Sequence, residues 1–422
     1  YGLSLAPRPD GVVRLATPET SWNARVAIID LTNPAAYRWF QDLHRPILRM
    51  GVAAFKTDFG EDVPIDAVFH NGQTGATMHN LYPLLYNQAV FEVIRQEHGY
   101  GLVWGRAGTA GSQRYPVCWS GDPAADFDSL ACTIRGGLSI GLSGVPFWSN
   151  DIGGYRGMPS TRLYVRWAQF GLFCSHSRMH GDSPREPWYF GEEALEIVRR
   201  YTQLRYQLFP YLYSAAHEAA RSGMPVMRAM PLAFPNDLNA YDKDLQYMLG
   251  PSLLVSPIYD EGEWRSVYLP EGRWIDYWTQ EIHEGPTNIR VHAPLDTLPL
   301  FVCAGAVLPM MPPVQRIPDS WIDPLILEVY PHAPIAYRLN EDEGIVDFTG
   351  EAQEDGITLA WNGARERQWI IRFKGVHQPK RVELATNDQP ATPVDEWRAL
   401  QDATLEINVP AVSSARLWIG YV

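Results

Sequence analysis

A parallel α/β half followed by an all-β half is the fold class that this sequence predicts, and three observations predict it. Over residues 1–222, short apolar runs alternate with helical stretches, the pattern of βα units around a parallel sheet. Polar residues gather at or just past the C-terminal ends of those runs: Asp30, Asp58, Arg106, Asp122, Asp151 and His176. Barrels and open parallel sheets both carry their active sites at that edge. Beyond Gly223 the texture changes to apolar segments of about four to eight residues punctuated by Pro, Gly and Asp, as in an antiparallel sandwich.

Taken in order, the expected strands of the first half are 25–30, 52–58, 102–106, 117–119, 145–149 and a short one near 173–175. Asn33-Pro34 opens a helix after the first, because proline has no N–H to lose at the first helical position. Further helices are expected over 78–98 and 127–138. Residues 192–221 read as one amphipathic helix closing the domain, with Leu195, Val198, Leu204, Leu208, Leu212 and Ala215 at mostly three- and four-residue steps. About six βα units result, where a closed barrel takes eight, so a barrel would place roughly two strands upstream of Tyr1. An open sheet needs no such strands but should carry a Gly-rich phosphate loop. Its one candidate, Gly105, Gly108 and Gly111, is spaced GxxGxxG rather than GxGxxG.

In the second half, 253–257, 266–269, 300–302 and 306–308 are strands of a first sandwich. A proline-dense strip, 309–324, leads into a second β-rich segment whose clearest strands are 369–373 and 415–418. The expected domains are therefore 1–222, 223–310 and 311–422, and the two β-domains carry no catalytic grouping.

Composition narrows the function classes. A chain of 422 residues has ample volume for a buried core. Its net charge of −13 argues against a nucleic-acid partner, whose phosphates must be neutralised by Lys and Arg. No apolar stretch approaches the ~18–20 residues that would span a membrane. The four cysteines (Cys118, Cys132, Cys174 and Cys303) form no CxxC pair and read as buried thiols of a reducing, cytoplasmic compartment. With 15 Trp and 21 Tyr, the chain is rich in aromatic faces that suit ring-shaped partners such as sugars, although a large core uses the same residues. It opens at Tyr1 with neither Met nor a signal-type run, so processing or truncation is expected to have removed what came before.

Two acidic positions stand out. The apolar run 52–59 ends in Lys56 and Asp58, which a strand's period of two places on the same side. Lys56 is one of four lysines, and a charge in such a strand must be paired or face a solvated site. The competing reading is a plain Lys–Asp pair holding the strand end. Asp122 follows Trp119 and a Ser-Gly turn, and an apolar neighbour of this kind raises a carboxyl pKa, as a general acid requires. Asp126 and Asp128 look like helix-start residues, a role that would also suit Asp122. Two carboxylates in different environments are what glycoside hydrolysis needs. Arg106 ends an apolar strand and can donate in-plane hydrogen bonds to hydroxyls or a carboxylate. His176 and His180 stand four apart without an HExxH glutamate, which disfavours zinc, and no GxSxG elbow supplies a serine nucleophile.

The stretch KTDFGEDVP at 56–64 resembles the nucleophile motif of glycoside hydrolase family 31, in its α-xylosidase branch rather than the W-x-D-M-N-E form of its α-glucosidases. MHNLYPLLYN at 78–87, WSGD at 119–122, RGGLSIGLSG at 135–144, FWSNDIGGY at 147–155, SHSRMHG at 175–181 and LQYMLG at 245–250 match that family in order. The resemblance covers roughly Trp22 to Leu308 and implies a (β/α)8 TIM barrel, with about six units present, followed by two all-β sandwich domains. It implies Asp58 as nucleophile and Asp122 as acid/base. Lys56, Arg106, Trp119 and His176 would line the subsite of the non-reducing sugar, with Asp151 near it and Phe147 and Trp148 as walls. The family's N-terminal sandwich and first two barrel strands have no counterpart here, and a sugar-binding acid and a xylose-selecting aromatic loop are expected in that part. Pro123 follows Asp122 where relatives often have Cys or Gln, which leaves the carboxyl in place.

The expected reaction is a retaining double displacement, with Lys56 keeping Asp58 ionised and Trp119 keeping Asp122 neutral. It needs no metal and no cofactor. The expected substrate is an oligosaccharide or α-xyloside, with an α-glucosidase or α-glycosyl transferase as the alternative within enzymes. A non-catalytic carbohydrate-binding subunit or inactive fragment is the alternative from another class. An open six-strand sheet would expose two edges and an apolar interior, an aggregation risk unless another chain closes it, and a homo-oligomer stays among the open partner readings.

Overall fold

The computed structural model describes residues 28–319, 322–332, 334–376, 378–386, 389–394, 396–400 and 402–421. They fall into two compact units, one running to Gly121 and including Phe147–Ser149, the other made of Asp122–Pro146 and everything from Asn150 onward.

In the first unit, helix α1 (Pro34–Arg49) precedes strand β1 (Phe55–Thr57), and helix α2 (Gly75–His98) leads to β2 (Val103–Gly105), β3 (Cys118–Trp119) and β4 (Trp148–Ser149). The sheet order is β1-β2-β3-β4 and every neighbouring pair is parallel. Helix α1 starts where Asn33-Pro34 predicts, with the Asn33 side chain accepting from the Ala35 N–H at 2.9 Å. Helix α2 stops at Gly99, whose φ of 83° is the left-handed cap that glycine tolerates. Leu48 of α1, Val90, Val93 and Ile94 of α2 and Val103 of β2 form one buried cluster, so the helices are clamped on the sheet by apolar contact. Of the expected strand 25–30, residues 25–27 lie outside the described residues, and Ile29 holds a single bridge position.

The second unit carries helix α3 (Phe127–Leu142), strands β5 (Asp151–Ile152) and β6 (Arg178–Met179), and helices α4 (Thr161–Gly171), α5 (Glu192–Gln207) and α6 (Phe209–Ser222). Strands β5 and β6 pair in parallel, with Asp151 opposite Arg178. Two expectations are corrected here. Residues 173–175 are a turn, and the strand lies further on, at β6. The carbonyls of Leu172, Cys174 and Ser175 accept from the Arg205 guanidinium at 2.6, 2.7 and 2.8 Å, so a side chain takes the bonds that a neighbouring strand would have made. The helix expected over 192–221 is two helices that meet at Leu208. Pro210 has no N–H to give to the carbonyl of residue 206 and its ring crowds that oxygen, so a new helix begins.

Beyond α6, a six-stranded antiparallel sheet runs in the order Ile282–His292, Trp264–Asp276, Leu300–Cys303, Leu253–Val255, Tyr247–Leu249, Met227–Ala229. A nine-stranded sheet follows, built on the long antiparallel pair Gly356–Lys374 and Thr404–Gly420. It departs from the expected antiparallel pattern at one place, where Leu325–Val329 runs parallel to residues 369–373. Phe348, Trp361, Trp369 and Phe373 fill its core.

Helices α4 and α5 are bonded to the connection 293–298 between two strands of the first of these sheets. Arg166 of α4 is buried and donates to the carbonyls of Ala293 at 2.6 Å and Thr297 at 2.9 Å, while burial pulls its guanidinium down to about 10. Gln169 donates to Leu295 O at 2.8 Å. The Tyr201 hydroxyl of α5 donates to Asp296 O at 3.0 Å and accepts from Leu298 N at 2.7 Å.

All four cysteines are free; Cys118 and Cys174 are buried as expected, but Cys303 is half-buried and Cys132 is exposed on α3. Among the described residues no helix is long and apolar enough to cross a membrane.

Candidate active site

In the first unit the side chains with chemistry converge where β1, β2 and β3 end. Thr57 pairs with Gly105, so the next residue of each strand, Asp58 and Arg106, emerge side by side. Arg106 Nη1 lies 2.8 Å from Asp58 Oδ1, and Lys56 Nζ lies 3.1 Å from Asp58 Oδ2. The pairing of Lys56 with Asp58 is the geometry that the strand period predicts.

Both cations also lie over aromatic rings. Lys56 Nζ sits 4.6 Å from the centre of the Trp119 ring, and the Arg106 guanidinium sits 4.2 Å from that of Phe59. Arg106 reaches a second carboxylate, Glu61, through its other terminal nitrogen. The Asp58 side chain stays 34% exposed while Arg106 is 14% exposed, so the carboxylate is held from behind and open in front.

Local backbone features hold this arrangement. Phe59 takes a left-handed φ of 63°, a conformation that disfavours bulky residues, and its N–H donates to Asp58 Oδ1 at 2.9 Å. Asn87 of α2 ties two strands together, accepting from the Thr57 hydroxyl at 2.6 Å and donating to Ala107 O at 3.0 Å. Tyr86, beside Asn87, has its hydroxyl pushed up to about 12, by burial first and then by the nearby Asp58 charge. Trp119 and Trp148 are buried on the adjacent strands β3 and β4, and Phe147, just before β4, is half-buried.

The remaining candidates belong to the second unit. Asp122, half-buried, follows β3 by three residues and opens the turn before α3. Asp126 caps that helix, accepting from Ser129 N at 2.7 Å, as the sequence suggested. Asp151 is fully buried and accepts from Arg178 Nε at 2.6 Å. His176 follows the turn clamped by Arg205; burial, with the Arg205 charge adding to it, pulls its imidazole down to about 4. The His180 ring packs against Tyr155, with centroids 5.5 Å apart.

Sequence reasoning therefore grouped Lys56, Asp58, Arg106 and Trp119 as the structure does, and passed over Glu61, Phe59, Asn87 and Arg178. Each of these lies inside a motif already singled out: Glu61 and Phe59 in KTDFGEDVP, Asn87 in MHNLYPLLYN, Arg178 in SHSRMHG. A half-exposed carboxylate fixed by two cations at the C-terminal edge of a parallel sheet is suited to attack on, or stabilisation of, a cationic carbon centre.

Residues 8–215 match the glycosyl hydrolases family 31 TIM-barrel domain, and residues 223–308 match the glycosyl hydrolase family 31 C-terminal domain. An α-xylosidase from Emericella nidulans is 40% identical over 317 residues, covering 72% of this chain and 40% of that protein. An α-xylosidase from Lactiplantibacillus pentosus is 44% identical over 295 residues, covering 67% of this chain and 38% of that protein. The chain thus spans about 40% of the length of these curated relatives. Among solved structures, a family 31 dextranase from Flavobacterium johnsoniae complexed with glucose matches with a TM-score of 0.90 at 28% identity, over 99% of this chain and 59% of that one.

Proposed function

This chain belongs to glycoside hydrolase family 31, and from that premise we propose that it is the catalytic portion of a retaining, exo-acting glycosidase that releases terminal α-linked xylose. The observation that carries the reading is the Asp58 carboxylate, half-exposed at a parallel strand end between Lys56 and Arg106. On this reading residues 1–222 contribute the C-terminal part of the barrel, and 223–310 and 311–422 are two β-sandwiches that follow it in the chain.

Asp58 attacks the anomeric carbon as the bond from that carbon to the leaving oxygen breaks, and Asp122 gives its proton to that oxygen. A glycosyl ester of Asp58 results. Asp122, now a carboxylate, takes a proton from water; the resulting hydroxide displaces Asp58 and leaves the sugar with its original configuration. The mechanism requires the two carboxyls ~5–5.5 Å apart, so that no water fits between nucleophile and carbon. Lys56 and Arg106 hold Asp58 in one rotamer through both oxygens. Trp119, Phe147 and Trp148 supply apolar walls, and Asp151 and His176 belong to the sugar-facing edge, with Arg178 presenting the donor that Asp151 orients.

The two α-xylosidase relatives at 40% and 44% identity support xylose, as does the KTDFGE form of the nucleophile motif. The second reading, an α-glucosidase or glycosyl transferase, is favoured by the dextranase match. A xylose pocket must exclude the hydroxymethyl group of glucose by shape, and one loop residue can reverse that choice. The test is turnover of aryl α-xyloside and aryl α-glucoside by the protein that carries this chain, and by the chain alone. Xyloside preference with retained configuration is the expected result. Glucoside preference keeps the mechanism and overturns the substrate, and no turnover of either by the whole protein overturns both.

A further inference from the structure

Arg185 is, among the described residues, the most heavily bonded side chain of the second unit, and the mechanism above does not use it. It is 3% exposed, and its hydrogen bonds go to main-chain oxygens and to the Ser183 hydroxyl at 2.5 Å rather than to a carboxylate. Nε and Nη2 both donate to Gly154 O, at 2.9 and 2.6 Å, and Nη2 also reaches Gly157 O at 2.7 Å. Nη1 donates to Ser183 O at 3.1 Å and to Pro184 O at 3.0 Å. One planar guanidinium thus ties the loop 154–157 to the loop 183–184, a task its fixed fork of donors suits.

The loop 154–157 in turn holds the turn that follows Asp122. Tyr155 N and Arg156 N both donate to Pro123 O, at 2.8 and 3.0 Å, and Ala125 N donates back to Arg156 O at 2.9 Å. Gly154, at φ 76°, packs so closely that a Cβ there would lie 2.6 Å from Ala124 O. Asp182 braces the same loop, its N–H donating to Tyr155 O at 2.9 Å and its carboxylate accepting from Gly157 N at 2.9 Å.

We propose that Arg185 is a positioning residue for the acid/base: through the 154–157 loop it sets the backbone of Pro123–Ala125 and thereby the direction of the Asp122 carboxyl. The inference rests on the assignment of Asp122 made above. A general acid contributes about 10²–10⁴-fold, and a displacement of ~1 Å can forfeit about 10²-fold of rate. A loose Asp122 turn should therefore cost proton donation specifically.

The experiment measures kcat/KM on two substrates, an alkyl glycoside whose leaving oxygen needs a proton and a glycosyl fluoride whose leaving group does not. The variants are Arg185→Lys, which keeps the charge but cannot span both loops, and Gly154→Ala, which forces the loop away from Ala124 while leaving the Arg185 side chain itself in place. Asp122→Ala runs beside them, in the whole protein. The expected result is a loss of about 10²-fold on the alkyl glycoside and no more than a few-fold on the fluoride for both variants. If Asp122→Ala shows this split but Arg185→Lys and Gly154→Ala lose both substrates equally, the positioning role is overturned and the acid/base assignment stands. If Asp122→Ala itself loses both equally, the acid/base assignment fails and the positioning role with it.

Discussion

Two aspartates in this molecule face an arginine from a neighbouring parallel strand, and solvent reaches one of them and not the other. Asp58 meets Arg106 just past the paired ends of β1 and β2 and remains 34% exposed. Asp151 meets Arg178 directly across β5 and β6 and is 0% exposed. The contacts are alike, at 2.8 and 2.6 Å, so an aspartate–arginine pair at a strand end says little by itself about function. The surroundings differ. Asp58 has a second cation in Lys56 and is followed by Phe59 and Gly60 in left-handed conformations that turn the chain away from it. Asp151 is followed by the fully buried Ile152 and by the loop that Arg185 ties down. An accessible paired carboxylate can react, whereas an inaccessible one can orient its partner.

The contrast breaks if the two residues respond alike to substitution. Asp58→Asn should lower kcat by roughly 10⁴-fold or more, as loss of a nucleophile does, while shifting stability by less than ~1 kcal/mol because the pair is solvated. Steady-state kinetics beside a thermal melt decide it, and residual activity above a tenth of wild type would remove Asp58 from the chemistry. Asp151→Asn should instead cost about 3 kcal/mol, the lower end for stripping one partner from a buried ion pair, since Arg178 is itself 19% exposed. A denaturation midpoint unchanged from wild type would put the two aspartates on the same footing.

The smallest effect sharpens the picture of the second unit. The His176 imidazole is held down at about 4 by burial, below its ordinary value of 6.5. The unfolded chain therefore takes up a proton between pH 6.5 and 4 that the fold excludes. Stability from the neutral ring is complete above pH 6.5 and declines as pH falls toward 4, by roughly 1–2 kcal/mol between pH 7 and 5. His176→Gln should flatten that part of the stability–pH curve, and an unchanged slope would mean that solvent reaches the ring.

Legibility in the sequence followed distance along the chain. The approach of Lys56 to Asp58 spans two residues and follows from strand periodicity alone. The approach of Arg106 to Asp58 depends on the register of β1 on β2, set by packing of the whole of α2, and no local pattern encodes it. The parallel layer and the β-rich second half were both legible, because hydrophobic alternation and turn residues repeat over many positions. The break at Leu208 was also within reach, since Pro210 announces it. The turn at 173–175 was not, because its carbonyls are met by Arg205, thirty residues further on and on a different helix. Burial misleads in the same way: Cys132 looks like a core thiol by type but lies on the outward side of α3.

The bonds of Arg166 have a bearing on modularity. The chain changes texture near residue 222, and a protein engineer would place the scissors there. Yet the helical half lends a guanidinium, an amide and a phenol to the oxygens of residues 293–297, on the far side of that point. Severed, it would keep a cation stranded in its interior, and the β half would keep carbonyls with nothing to receive. The first β-sheet is thus no cassette to be clipped off or exchanged for another; grafts between relatives should carry it together with α4 and α5.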